Sequence, residues 1–173
     1  MDLPVRKKNR LPEHLYNENG VYFITICTEH HRNILCDITT PEINAVGAGV
    51  PDRPQIQLSR HGAIADAYIR FINDFYPNLS VDKYIIMPNH IHLLLRIDND
   101  GRSGTPAPTK GNSTIAQFVS TLKRFCNKEY GENIWQRSYH DHIIRNQEDY
   151  AEIWQYIENN PRKWALDCYY TKN

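Results

Sequence analysis

Between Val81 and Ile97 the chain consists largely of β-forming residues, and it is interrupted once, at Pro88-Asn89. Val81-Asp82-Lys83-Tyr84-Ile85-Ile86-Met87 reads as one strand and His90-Ile91-His92-Leu93-Leu94-Leu95-Arg96-Ile97 as the next. A gap this short makes the two strands antiparallel neighbours. Side chains alternate faces along a strand, so Ile91, Leu93, Leu95 and Ile97 point into a core while His90 and His92 share the other face. The fold must therefore supply an antiparallel sheet with an apolar side and a pair of imidazoles opposite.

The remaining segments fit around that sheet. Val21-Tyr22-Phe23-Ile24-Thr25-Ile26-Cys27-Thr28 is β-branched and aromatic throughout and reads as a central strand, and a short strand is expected at 55–58. Ser59 caps a helix with Ile64, Ala67, Tyr68, Ile72 and Phe75 at helical spacing, stopped by Pro77. Ser113 caps a second helix, with the stripe Ile115, Phe118, Val119, Leu122 and Cys126, which Gly131 ends. Ile143 and Ile144 suit a last strand. Gln147 to Asn160 forms a third helix, with Tyr150, Ile153, Trp154 and Ile157 as its stripe and Pro161 as its stop. The order predicts an α+β fold, a ferredoxin-like antiparallel sheet with helices packed on one face. Residues 1–20 read as a polar, basic arm, and 21–165 as a single domain. Within it, 37–54 is a Pro- and Gly-containing loop and 98–112 a flexible linker. Residues 166–173 are expected to form a tail.

Composition removes several classes of function. Hydrophobic residues make up 40% and charged residues 23%, which argues against wholesale disorder. No apolar run approaches the roughly 20 residues of a membrane helix, and the first residues lack a signal peptide's apolar stretch. A cytoplasmic protein without membrane association is expected. Cys27, Cys36, Cys126 and Cys168 match no CxxC spacing and read as reduced, mostly buried thiols. The net charge is +0, so any nucleic-acid site must rest on local clusters rather than on a global field.

Two neutral imidazoles on one sheet face make half of a divalent-ion site. The plainer alternative is ordinary strand histidines, because metal sites usually need three or four ligands. Tyr156 and Asn160 stand i, i+4 on the last helix, about 40° apart around its axis. They flank the apolar stripe instead of occupying it, so the helix can offer a phenol and an amide oxygen to a groove. Boundary packing is the alternative for both. Lys123, Arg124, Arg145 and Arg162 with Lys163 are candidate phosphate contacts, against the alternative of a solvated helix face. Trp135 and Tyr139 can stack on unpaired bases, or Trp135 can pack in the core.

Met87-Pro88-Asn89-His90-Ile91-His92-Leu93-Leu94-Leu95 resembles the His-hydrophobic-His strand of the HUH endonuclease superfamily. Trp135-Gln136-Arg137-Ser138-Tyr139-His140-Asp141-His142-Ile143-Ile144-Arg145-Asn146, followed by Tyr156-Ile157-Glu158-Asn159-Asn160-Pro161, resembles the REP-associated tyrosine transposases within the single-tyrosine, IS200-like group. The resemblance covers roughly residues 20–165 and implies a metal-dependent enzyme that nicks and joins single-stranded or hairpin DNA through a 5′-phosphotyrosine. It places the metal-binding histidines at His90 and His92 and the nucleophile at Tyr156. The third ligand falls at Asn160, where insertion-sequence relatives usually carry Gln. It also implies Mg²⁺ or Mn²⁺, although imidazoles alone suit Zn²⁺ equally, and a monomer or a homodimer. Tyr139 and Tyr150 remain rival nucleophiles. A DNA- or RNA-binding module without catalysis is one competing reading. A histidine-triad nucleotide hydrolase is another, but it wants a third alternating His where this chain has Leu94.

Overall fold

The computed structural model describes residues 18–39, 54–99 and 113–171. A four-stranded antiparallel sheet forms its centre, from β1 (Gly20–Cys27), β4 (Leu79–Ile86), β5 (His90–Ile97) and β6 (His140–Ile144), in the order β4-β5-β1-β6. A separate hairpin pairs β2 (Cys36–Thr39) with β3 (Gln55–Leu58). The helices are α1 (Arg60–Arg70), α2 (Ile72–Phe75), α3 (Thr114–Tyr130) and α4 (Gln147–Asn159), with 3-10 turns at Glu29–His31 and Asn160–Leu166.

β1 and β5, the most apolar strands, lie side by side in the middle, paired from Gly20 with Ile97 to Cys27 with His90. One face of this pair carries Tyr22, Ile24, Ile26, Ile91, Leu93 and Leu95. α1 and α3 cover it, and Ile115, Phe118, Val119 and Leu122 complete the main core. Ser59 and Ser113 cap their helices as expected, each hydroxyl accepting from the amide of the third residue on.

The expected antiparallel α+β architecture is present, with one correction. α1 and α3 share a face, but α4 lies on the other, where Ile153, Ile157 and Tyr150 pack against Val21, Phe23 and Leu94. A sheet whose second face carries Leu94 and Phe23 beside the histidines still has apolar area to cover, and α4 covers it. Trp154, expected on that stripe, is 37% exposed at its edge, with the Lys83 ammonium 4.1 Å above its ring. Residues 37–39, read as loop, pair as β2. The rest of the expected loop to residue 53 falls outside the described residues. So do 1–17 of the expected arm, 100–112 of the expected linker, and 172–173. Pro161 does not end the helical path. It enters at the first turn of the Asn160–Leu166 3-10 segment, where a missing N–H costs nothing. The residues after it fold back toward β5 instead of trailing away.

Candidate active site

The site is assembled from the start of β5, the end of α4 and the returning C-terminal segment. β5 opens at His90, and its alternation puts His90, 0% exposed, and His92, 1% exposed, beneath α4. Both rings are held by their Nδ1 atoms. The Asn89 amide donates through Nδ2 to the carbonyls of Tyr169 at 2.7 Å and His31 at 3.2 Å. That leaves Asn89 Oδ1 to accept from His90 Nδ1–H at 2.9 Å. The opposite nitrogen of His90, Nε2, then carries a lone pair. His92 Nδ1 pairs with the Thr25 hydroxyl at 2.9 Å, which likewise turns Nε2 inward. The two Nε2 atoms face each other at 3.0 Å.

Burial holds both imidazoles well below the ordinary histidine range, so they are neutral near pH 7. The gap between the two Nε2 atoms suits either a ring proton of His92 donated to His90 or a cation held by both. Ligand bonds of about 2.1 Å meeting at a right angle would separate two nitrogens by about 3.0 Å.

α4 brings in the phenol. Tyr156 Oη lies 3.3 Å from His92 Nε2 and 3.4 Å from Asp167 Oδ2, with its ring edge-on to Phe23. Tyr156 is 39% exposed and borders a cleft of about 500 Å³ that also touches Asn160, Lys163 and Asp167. Burial, then the Asp167 carboxylate and the Cys168 thiol, push its pKa up to about 12. Asn160 is 2% exposed, and its Nδ2 donates to Asp167 Oδ2 at 2.9 Å. Its Oδ1 is buried with no hydrogen-bond partner among the described residues. A buried amide oxygen without a partner normally costs about 1–3 kcal/mol. Two imidazole nitrogens and such an oxygen form a donor set that fits a divalent cation.

The sequence reading missed the C-terminal contribution. Asp167 lies with its carboxylate within 4.8 Å of the ligand nitrogens of His90 and His92. The Tyr169 ring packs on His90 at 4.7 Å between centroids, and Trp164 lies 5.9 Å from it. No periodicity marks these residues. Asn89 does carry a signal, since it directly precedes the first histidine.

The other expected site residues are scattered. Trp135 is 1% exposed in the main core, which rules it out as a stacking platform in this arrangement; the packing alternative holds. Lys123 points its ammonium inward, donating to the carbonyls of Gln136 at 2.7 Å and Ser138 at 2.8 Å, so it ties down the 136–138 segment. Arg124 is exposed on α3, across the sheet from the histidines, with its guanidinium 5.3 Å from the Phe125 ring. Arg145 and Arg162 are exposed just before and just after α4. Of the rival tyrosines, Tyr139 is 8% exposed within the main core, and Tyr150 donates to Asp82 Oδ2 at 3.0 Å. Cys27, Cys36 and Cys126 are buried free thiols, whereas Cys168 is exposed.

Comparison with known proteins points the same way. The family model described as Transposase IS200 like matches residues 76–160, a span that holds His90, His92, Tyr156 and Asn160. An uncharacterized protein of Haemophilus influenzae is 32% identical over 180 residues, covering 95% of this chain and 93% of its own. The REP-associated tyrosine transposase of Escherichia coli K12 is 24% identical over 148 residues, covering 86% of this chain and 70% of its own. Among solved structures, a REP-associated tyrosine transposase bound to a REP hairpin shares the fold. The TM-score is 0.61 at 18% identity, over 91% of this chain and 76% of that one.

Proposed function

Because this chain belongs to the IS200-like transposase family, with REP-associated tyrosine transposases among its relatives, we propose that it cuts and rejoins single-stranded DNA through Tyr156, at a divalent ion held by His90, His92 and Asn160. The observation that carries this reading is the 3.3 Å between Tyr156 Oη and His92 Nε2 within one chain.

A phosphodiester repels nucleophiles because its oxygens are anionic. A divalent ion on these ligands, Mg²⁺ or Mn²⁺, supplies the Lewis acidity that offsets a nonbridging oxygen's charge and the positive field that favours a phenolate. Burial keeps the His90 and His92 rings neutral, while Asn89 and Thr25 hold their Nε2 atoms converging. Tyr156 Oη forms a bond to phosphorus as the bond from phosphorus to the 3′ oxygen breaks. The 5′ phosphate then sits on the phenol, and the departing 3′ oxygen takes up a proton. One phosphodiester has replaced another, so an incoming 3′-hydroxyl can reverse the step and join strands without ATP.

The cleft beside Tyr156 leaves room for an unpaired strand. Arg145 and Arg162, at opposite ends of α4, are placed to meet its phosphates. The relative of shared fold was solved with a REP hairpin, and a hairpin with an unpaired flank is the substrate class proposed here. On this reading the protein would act in the cytoplasm, where such DNA is found. None of the described helices is long and apolar enough to cross a membrane.

The test is a covalent-adduct assay with labelled hairpin DNAs, each carrying an unpaired flank, and Mn²⁺. The wild-type chain and Tyr139→Phe are expected to retain label under denaturing conditions, and Tyr156→Phe to lose it. An adduct that survives Tyr156→Phe refutes the assignment. Tight binding without any adduct across the panel would instead support a non-catalytic binding module.

A further inference from the structure

Asn160 has a defined amide orientation, and the group that defines it lies outside the segments that carry the family resemblance. Its Nδ2 donates to Asp167 Oδ2 at 2.9 Å, while Oδ1 is buried without a partner. An amide can rotate by half a turn and exchange its two ends at little steric cost, since oxygen and nitrogen are nearly the same size. Here that exchange would set Oδ1 against the Asp167 carboxylate, acceptor against acceptor. The carboxylate itself is braced. Asp167 Oδ1 accepts from the Tyr169 amide at 2.7 Å, and the Asp167 backbone amide donates to the Trp164 carbonyl at 3.0 Å.

Resting on the reading of His90, His92 and Asn160 as ion ligands, we propose that Asp167 is a positioning residue. It holds Asn160 Nδ2 on its own carboxylate and leaves the buried Oδ1 as the end available to an ion, and so sets the affinity of the site for a divalent cation. The short Asn side chain makes this support matter. Asn160 falls just past the end of α4, at the first residue of the 3-10 segment, and only that segment brings Asp167 back against it. Both oxygens of Asp167 already accept from Asn160, the Tyr169 amide or Tyr156, which suits a supporting group better than a direct ligand.

The experiment measures Mn²⁺ binding to the full chain without DNA, from the EPR signal of free Mn²⁺, with circular dichroism of each variant as a check on folding. Asp167→Ala is expected to weaken Mn²⁺ by about tenfold or more, the usual effect of losing a group that orients a ligand. Asn160→Ala is expected to weaken it at least as much. The double variant should bind no more weakly than Asn160→Ala alone, because Asp167 acts through Asn160. Additive losses in the double variant, or unchanged binding in Asp167→Ala, would overturn the proposal and leave the ion site standing. Mn²⁺ binding that is absent from the wild type, or indifferent to His90→Ala, would remove the ion site itself and the proposal with it.

Discussion

Tyr156 is exposed to opposing influences, and the balance between them decides whether it can act. Burial and the Asp167 carboxylate raise its pKa to about 12, which leaves very little phenolate at neutral pH. A cation on the histidine pair would push the other way. The histidines stay neutral, because the sheet and α4 exclude water from them. That neutrality has a consequence for stability. In the unfolded chain the same rings take up protons below about pH 6.5, while in the fold they resist. The unfolded state therefore binds more protons in the acid range, and stability is lost as pH falls below that value. Thermal midpoints measured in chelator from about pH 7.5 to about pH 5 are expected to drop, and to drop less in His92→Gln. A profile as steep in the variant as in the wild type would show that other groups carry the acid sensitivity.

At the scale of elements, α4 unites the site and α1 braces the face behind it. α4 starts at Asn146, whose side chain accepts from the Asp149 amide at 2.8 Å. Asp149 in turn pairs with His142 of β6 at 2.9 Å. The helix that carries Tyr156 is thus pinned at its far end to an edge strand. α1 is fixed differently. A Cβ added at Gly62 would lie 2.1 Å from the Leu35 carbonyl oxygen, so only glycine lets the first turn of α1 approach the chain leading into β2. The clash is with backbone, which cannot rotate away. Gly62→Ala is expected to cost about 3 kcal/mol, in the range of overpacked cores, read as a lowered urea midpoint with an unchanged slope. A loss below about 0.5 kcal/mol, within ordinary surface-mutation scatter, would show that α1 can shift to make room.

For the molecule as a whole, the phenol and both imidazoles come from one chain. If this arrangement is the working one, each chain holds a full set of the proposed groups. A mixture of Tyr156→Phe with His90→Ala chains should then form no more covalent adduct than either variant alone. Recovery toward a quarter or more of wild-type yield would mean that α4 is exchanged between copies. The absence of net charge is part of the same picture. With no global positive field, the function proposed above would leave the placement of a strand to the ion and to a few cations such as Arg145 and Arg162.

Local order in the chain was enough for the four strands of the central sheet, the long helices and the histidine face. Alternation from His90 to Ile97 is a property of any extended backbone, so it specified both the buried side of β5 and the shared side of the imidazoles before any packing was known. The i, i+4 spacing of Tyr156 and Asn160 likewise follows from helix geometry alone. Which face α4 would cover did not follow, because Leu94 and Phe23 suit either a helix or a partner surface. Trp135 and Lys123 illustrate the same limit, as an indole reads alike whether it stacks on a base or fills a core, and an ammonium alike whether it meets a phosphate or two carbonyls. Asp167 and Tyr169 reach His90 only because the chain turns back after Pro161. A contact between residues so far apart in sequence leaves no periodic trace, since it is fixed by the closing of the whole fold and not by the conformation of any one segment.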